Sequence, residues 1–200
     1  MNENTIITIT RQYGSGGKEI ANIIAEKMGV KCYDRKVVTK AAENINNGDS
    51  FDQLISNAYD TPDDFFSTIA SLASQGTPIQ NQMYREQAKI ILQIAQKGSA
   101  VFLGRCADYI LRNQPNTYSF FIYANDDFRI NRAKTRYNNC SLKDLEKVDK
   151  QRKRYYAYYT GQVWGDYQNY DMMINSSELP LDIVADMIIG YVNIRQDKDL

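Results

Sequence analysis

Short apolar runs alternate along this chain with segments of helical periodicity. Residues 5–10 form a run rich in isoleucine and threonine, which favours a buried strand. Between such runs, apolar residues recur at intervals of three and four, as they do on one face of a helix. This alternation predicts an α/β fold with a five-stranded parallel sheet and helices on both faces. The predicted strands are residues 5–10, 30–33, 100–103, 119–124 and 170–175.

Two stretches interrupt the alternation. Residues 49–84 scatter apolar side chains among polar ones and contain loop signals at Thr61-Pro62 and Gly76-Thr77-Pro78, which predicts a small helical insertion. Because it is too long for a simple connection, we expect it to be a lid or a substrate-binding element. Residues 133–167 include a second charged helix and predict a lid. The chain then forms one domain, whose core comprises residues 1–48, 85–132 and 168–200.

A glycine-rich loop follows the first predicted strand. It consists of Gly14, Ser15, Gly16 and Gly17, and Lys18 comes directly after it at the start of a predicted helix. Glycine lacks the Cβ atom that would prevent a tight turn or a close approach to a ligand. The free N–H groups of a helix N-terminus, together with a lysine, favour binding of a phosphate chain. The alternative is a strand-to-helix turn that binds nothing.

The loop departs from the known phosphate-loop patterns. The pattern G-x-x-x-x-G-K-[ST] places Gln12 where its first glycine should be and Glu19 where its hydroxyl residue should be. The dinucleotide pattern is a weaker match, because Glu19 replaces its third glycine. The sequence therefore predicts a phosphate loop of unusual composition.

Charged residues follow two of the other predicted strands. Asp34 and Arg35 come after the second strand, and Arg105 comes after the third. Ligands bind at the carboxyl ends of the strands in open α/β sheets, so we expect these side chains to face a crevice. Two alternatives remain: Asp34 caps a helix, or Arg105 is a surface residue that pairs with Asp108.

Basic residues are concentrated in two later helices. Arg129, Arg132 and Arg136 are spaced by three and four and share one face of the first helix. Asp149 and Arg152 lie in the second. We expect at least one of these arginines to face a phosphate, and the two helices to form a basic flap. The alternative is a solvated helix face.

Composition narrows the possible chemistry. The 24 basic and 24 acidic residues balance, so no global charge attracts nucleic acid or a membrane. The chain has no histidine, which excludes serine–histidine or cysteine–histidine pairs and histidine metal sites. Its three cysteines are too dispersed for a disulfide framework or a zinc site. Catalysis must then use lysine, arginine, carboxylates or a bound metal, which suits phosphoryl transfer.

The opening residues and the aromatic residues give two further expectations. A polar opening and the lack of an apolar run of 18 residues predict a soluble cytoplasmic protein. A tyrosine-rich region could form core or a homodimer surface, or could stack on a base. The balanced charge argues against its binding single-stranded nucleic acid. Its members are Tyr155, Tyr156, Tyr158, Tyr159, Trp164, Tyr167 and Tyr170.

Four segments together resemble the cytidylate kinase-like proteins, a family of P-loop kinases. They are Thr-Ile-Thr-Arg-Gln-Tyr-Gly-Ser-Gly-Gly-Lys-Glu-Ile at residues 8–20, Tyr33-Asp34-Arg35, Gly-Arg-Cys-Ala-Asp-Tyr at 104–109, and Thr-Gly-Gln-Val-Trp-Gly-Asp-Tyr-Gln-Asn-Tyr-Asp at 160–171. The resemblance covers nearly the whole chain. It implies a P-loop kinase fold and transfer of the γ-phosphoryl group of ATP, with Mg²⁺, to a nucleoside monophosphate, CMP or dCMP above all.

The resemblance also assigns roles to individual residues. Residues 14–19 would bind the donor phosphates, and Glu19 would reach the magnesium ion. The implied catalytic residues are Lys18, Arg132, Arg136 and Arg152. The implied acceptor-binding residues are Asp34, Arg35, Arg105, Asp108 and Asp149, with the insertion helping to choose the acceptor. Two alternatives stay open: a P-loop kinase with a different small-molecule acceptor, and a nucleotide-binding module without turnover.

Overall fold

A computed structural model of the chain describes residues 4–34, 37–38, 78–136 and 139–197. Arg35 and most of the predicted insertion, residues 49–77, lie outside these described residues. The predicted five-stranded parallel sheet is confirmed. The strands are β1 (Ile6–Arg11), β2 (Cys32–Tyr33), β3 (Ala100–Leu103), β4 (Thr117–Tyr123) and β5 (Met172–Asn175). Their order in the sheet is β2-β3-β1-β4-β5.

Helices cover both faces of this sheet. The described helices are α1 (Gly17–Met28), α2 (Pro78–Lys97), α3 (Ala107–Ile110), α4 (Asp126–Arg136), α5 (Leu142–Thr160) and α6 (Leu181–Asp197), with a 3₁₀ turn at Tyr167–Asn169. They form because apolar positions recur at helical spacing. Gly29 caps the C-terminus of α1 in a left-handed conformation that suits glycine.

The core divides into layers on the two sides of the sheet. Ile7 and Ile9 of β1 pack against α1 and α6, whereas Ile6 packs on the opposite side against α2. This alternation follows from the two-residue period of a strand. Both faces of β1 are therefore covered, and both of its edges are paired, with β3 and β4.

The tyrosine-rich region is divided between core and surface. Tyr156, Trp164 and Tyr170 are buried against Phe121 in a separate aromatic cluster. The expectation of core packing is thus confirmed for these three residues. Tyr158 and Tyr167 are exposed by 58% and 72%. Among the described residues, no helix combines the length and apolar character needed to cross a membrane.

Two element boundaries differ from the predicted ones. Helix α2 begins at Pro78, before the predicted start at residue 85, because proline is well suited to the first turn of a helix. Strand β1 continues to Arg11, one residue beyond the predicted end, because Arg11 stays in register with Ile122 of β4. Arg11 is therefore a strand-end residue and does not belong to the loop.

Candidate functional site

The glycine loop curls tightly between β1 and α1. Gly14 and Gly16 have φ angles of 87° and 82°, a region that strongly favours glycine. The Ser15 hydroxyl donates a hydrogen bond to the carbonyl oxygen of Gln12 at 2.9 Å. In the part of the chain that the structure describes, no side chain caps the N-terminus of α1, where Gly16 occupies the cap position. The first-turn N–H groups of α1 therefore have no side-chain acceptor and suit an anion.

Gln12 anchors the loop to the end of β4. Its backbone N–H donates to the carbonyl oxygen of Ile122 at 2.9 Å, and its side-chain oxygen accepts from the N–H of Ala124 at 3.1 Å. On the other side, the hydroxyl of Ser176 donates to the carbonyl oxygen of Ser15 at 2.7 Å. The glutamine that replaces a pattern glycine therefore has a structural task that glycine could not perform.

Lys18 and Asp34 meet at the mouth of the loop. Lys18 Nζ lies 3.3 Å from Asp34 Oδ2, with 59% of the lysine side chain exposed. The other oxygen of Asp34 accepts a hydrogen bond from the N–H of Val37 at 3.3 Å, which is helix-cap geometry. Both predicted roles of Asp34, crevice residue and cap, are thus compatible with its contacts. An exposed lysine beside the glycine loop can reach a phosphate.

Glu19 pairs with two arginines of α4. Its Oε2 lies 2.8 Å from Arg132 Nη2, and its Oε1 lies 3.3 Å from Arg136 Nη1. The first contact is an ion pair whose geometry does not make a hydrogen bond. Nε and Nη2 of Arg132 are buried and have no hydrogen-bond partner among the described residues. The loop and α4 are therefore joined by charge, and these two arginines compete with any cation for Glu19.

Asp149 joins the predicted lid to the loop. It accepts hydrogen bonds from the N–H of Tyr13 at 2.7 Å and from Arg129 Nη2 at 2.6 Å. Arg152 Nη1 lies 3.4 Å from the same carboxylate and donates to the carbonyl oxygen of Arg11 at 2.9 Å. Burial raises the pKa of Asp149, and the Tyr13 N–H and the two arginines oppose that rise. Helices α4 and α5 are thus tied to the glycine loop.

Arg105 is held in an unusual backbone conformation. Its φ angle is 60°, and it lies between Gly104 at 75° and Cys106 at 56°. Its guanidinium carbon lies 5.3 Å from the centre of the Tyr155 ring. Nε and Nη2 are buried without a hydrogen-bond partner in the described part of the chain. The alternative of a surface arginine paired with Asp108 is wrong, because the side chain turns to the ring of Tyr155.

Asp108 lies beneath the site and is 5% exposed. Its carboxylate accepts a hydrogen bond from the Tyr156 hydroxyl at 2.6 Å and a longer one from Thr10 at 3.5 Å. Burial raises the pKa of Asp108, and these hydrogen bonds partly oppose the rise. The contacts of Asp108 are therefore internal, and its predicted role in acceptor binding remains a prediction.

The sequence reasoning missed Arg11. It lies at the carboxyl end of β1, between the loop and the ends of β3 and β2. Burial, and next to it the positive charge of Arg152, lower the pKa of its guanidinium. The signal was present, because a charged residue after an apolar strand had already identified Asp34 and Arg105. The predicted strand ends at residue 10 and the predicted loop begins at Gly14, so Arg11 belongs to neither element.

The charges and donor groups of these residues can be compared with those that ATP and a magnesium ion require. The uncapped first turn of α1 and the exposed Lys18 fit a triphosphate. For magnesium the fit is narrower: within the described residues no three acidic or cysteine side chains form a metal cluster. Magnesium commonly binds one or two carboxylates together with substrate phosphates and water. Glu19 could supply such a carboxylate once Arg132 and Arg136 release it.

Comparisons with known proteins agree with the resemblance. The chain matches the model of the Cytidylate kinase-like family over residues 6–178. A cytidylate kinase of Archaeoglobus fulgidus is 26% identical over 200 residues, which cover 96% of this chain and 97% of that protein. A solved structure of an uncharacterized protein from Eubacterium ventriosum has a TM-score of 0.72 at 27% identity, covering 94% of this chain and 98% of its own.

The fold is shared more widely. A gluconokinase from Sinorhizobium meliloti has a TM-score of 0.59 at 11% identity, with 98% of this chain and 95% of that chain covered. At such low identity the likeness concerns the fold alone, and it confirms the predicted P-loop kinase fold. The predicted family is confirmed as well: the family model spans most of the chain, and this protein belongs to the cytidylate kinase-like family.

Proposed function

We propose that this protein transfers the γ-phosphoryl group of ATP to a nucleoside monophosphate, CMP or dCMP, with magnesium as cofactor. One observation carries the proposal. Lys18 of the glycine loop pairs with Asp34, which follows β2, and Arg105 follows the neighbouring strand β3, so groups from three separate parts of the chain share the carboxyl edge of the sheet. Such an edge is where ligands of open α/β sheets bind.

Each group has a task in this reaction. The N–H groups at the start of α1 and Lys18 hold the donor phosphates, while Arg132, Arg136 and Arg152 offset charge that develops on the transferred group. Asp34, Arg105 and Asp149 belong to the acceptor side, together with Arg35 and the insertion, which lie outside the described residues. Magnesium would supply charge neutralisation at the phosphates, with Glu19 as its protein ligand.

Lys18 is the residue that tests this proposal. Purified protein is incubated with ATP, magnesium and one of CMP, dCMP, UMP, AMP or GMP, and ADP formation is measured. We expect turnover with a cytidine monophosphate that falls at least about a hundredfold in Lys18→Ala, because removing one preorganised charge contact costs about 2.7 to 4 kcal/mol. Lys89→Ala, which removes an exposed lysine of α2, is the matched control.

Two other outcomes would change the assignment. Lys18-dependent turnover with another phosphate acceptor would indicate a P-loop kinase of different specificity. ATP binding without turnover on any acceptor would indicate a nucleotide-binding module. The pairing of Glu19 with Arg132 and Arg136 favours this last candidate, because it occupies the carboxylate proposed for magnesium.

Two further properties belong to the proposal. The protein would act in the cytoplasm, where its nucleotide substrates are found.

It would form a homodimer through the exposed part of the tyrosine-rich region, at Tyr158 and Tyr167. Light scattering of the wild type is expected to give twice the chain mass, and the double variant Tyr158→Ser/Tyr167→Ser the chain mass. A monomeric wild type would contradict the homodimer.

A further inference from the structure

Two glycines leave room for one arginine at the end of β1. A Cβ atom on Gly17 would lie 2.6 Å from Arg11 Cβ and 2.8 Å from its Cγ. A Cβ atom on Gly104 would overlap Arg11 Nη1. Both ends of the Arg11 side chain therefore lie against a backbone that cannot carry a side chain. Because glycines at two separate positions, Gly17 and Gly104, leave room for Arg11, the fold holds its guanidinium in one defined place.

Within the described ranges, the Arg11 guanidinium has positive neighbours and no hydrogen-bond acceptor. Arg152 and Arg105 both act on it electrostatically and lower its pKa, with burial as the largest cause. Neither Arg11 nor Arg105 donates a side-chain hydrogen bond to any described residue, and two buried nitrogens of Arg105 lack a partner. Unpaired buried guanidinium nitrogens are costly, so those of Arg105, which lie near the like charge of Arg11, call for an anion.

The nearby carboxylates are already engaged. Asp34 and Asp149 are the acidic groups that act on Arg11. Asp34 is paired with Lys18 and accepts from the N–H of Val37. Asp149 accepts hydrogen bonds from the Arg129 guanidinium and from the N–H of Tyr13. Neither carboxylate is thus committed to Arg11 or Arg105, and the local charge stays positive.

The backbone conformation around Arg105 also indicates that its guanidinium is held in place for a function. Gly104, Arg105 and Cys106 all have left-handed φ angles, a costly conformation for residues that carry a side chain. Strain of this kind is retained where surrounding structure holds a functional group in place. Here it sets Arg105 at the end of β3, next to Arg11 at the end of β1.

We infer that Arg11 and Arg105 form an anion subsite at the carboxyl ends of β1 and β3, and that this subsite holds the phosphate monoester of the acceptor. The assignment to the acceptor rests on the proposed function. A guanidinium grips phosphate at two points, which suits a group that must be oriented. The subsite faces Asp34 and β2, whereas the donor phosphates belong to Lys18 and α1. Arg11 is thus a substrate-binding residue to which the sequence patterns gave no role.

Arg11→Met tests the subsite because it keeps an unbranched apolar stem and removes the charge. The exposed Arg85 of α2 provides the control, Arg85→Met. The first measurement is the thermal unfolding midpoint in sodium chloride and in inorganic phosphate at equal ionic strength. We expect phosphate to raise the midpoint of the wild type and of Arg85→Met by the same amount, and to raise that of Arg11→Met by less, because only the glycine loop and Lys18 then remain to bind it. In chloride, Arg11→Met should unfold no earlier than the wild type, because a like-charge contact is removed.

Calorimetric titration with CMP, cytidine and ATP is the second measurement. We expect Arg11→Met to bind CMP at least tenfold more weakly, with cytidine and ATP affinities within twofold of the wild type. A wild type that binds CMP no more tightly than cytidine would overturn the inference. So would an equal loss of ATP affinity, which would place Arg11 on the donor side.

The inference and the proposed function fail in different ways. If Arg11→Met unfolds earlier in chloride and phosphate raises its midpoint as much as it raises that of the wild type, the role of Arg11 is structural and the subsite is refuted, whatever the kinase assay shows. If phosphate and CMP binding depend on Arg11 but no ADP forms, the subsite stands and the kinase proposal is refuted. Neither binding measurement requires turnover.

Discussion

Gly17 lies in the first turn of α1, where the space taken by Arg11 excludes the Cβ atom of an alanine. Helix propensity favours alanine by about 1 kcal/mol, but here the added atom would overlap Arg11. We expect Gly17→Ala to destabilise the fold by about 1 to 3 kcal/mol, the usual cost of overpacking. Gly190→Ala in α6, where nothing lies within 4 Å, should instead stabilise it by about 1 kcal/mol. Urea denaturation measures both, and equal signs would contradict the overlap.

Glu19 offers a second test at a single residue. As a like charge it should weaken ATP binding, yet as a magnesium ligand it should help. We expect Glu19→Ser to raise the half-saturating magnesium concentration for ADP formation about tenfold, the equivalent of about 1.4 kcal/mol. Glu26→Ser, an exposed position on the same helix, is the control. Tighter ATP binding with an unchanged magnesium requirement would rule out the metal role.

The sequence could predict residues whose signal is local. Lys18 was found because it ends a glycine loop, and Asp34 because it follows a strand. Arg11 also follows a strand, but its packing against Gly104, which lies far away in sequence, has no local signal. The hydrogen bond between Gln12 and Ala124 is likewise long-range, so no local pattern could explain why this glutamine replaces a glycine.

At the scale of elements, α4 and α5 are coupled to the glycine loop through one carboxylate. Asp149 offsets the charge of Arg129, which is 4% exposed, and accepts from the loop N–H of Tyr13. We expect Asp149→Asn to destabilise the fold by about 3 to 5 kcal/mol, because the buried guanidinium of Arg129 loses its buried counter-charge and keeps only the exposed Asp126. Denaturant titration against the exposed control Glu146→Gln measures the difference. A loss below about 1 kcal/mol would show that the helices are held to the loop by other contacts.

Helix and strand types were predictable because each has its own apolar period, whereas several ends were not. The start of α2 at Pro78 lies inside the segment predicted as an insertion, because loop signals outweighed a helix-compatible proline. The basic face of α4 was recognised from its spacing. The spacing could not show, however, that Arg129 is buried while Arg132 and Arg136 pair with Glu19, because this depends on tertiary packing.

At the scale of the whole molecule, strand number and direction followed from the sequence, but strand order did not. Alternating strands and helices require parallel pairing, and this was confirmed. The order β2-β3-β1-β4-β5 depends on which strands the helices bring together. That order places β1 at the centre, with β3 on one side and β4 on the other. Arg11, Arg105 and the β4 anchor of Gln12 meet only because of it.

Burial of Asp108 in the centre of the molecule makes the stability of the whole domain depend on pH. Because burial raises the pKa of this carboxyl in the folded chain, folding favours its protonated form. The resulting stabilisation is complete below the unfolded pKa of about 3.9 and is lost as the pH rises through the folded pKa. Asn at this position stays neutral, and its amide can still accept from Tyr156.

Asp108→Asn should therefore be the more stable protein at pH 7, by about 1.4 kcal/mol for each unit by which burial raises the pKa. Its advantage should shrink as the pH falls toward 4. Thermal unfolding between pH 4 and pH 8 measures this difference, with the exposed Asp127→Asn as the control. If Asp108→Asn were less stable than the wild type by the same amount at every pH, the raised pKa would be wrong. The hydrogen bonds to Tyr156 and Thr10 would then hold an ionised carboxylate in the core.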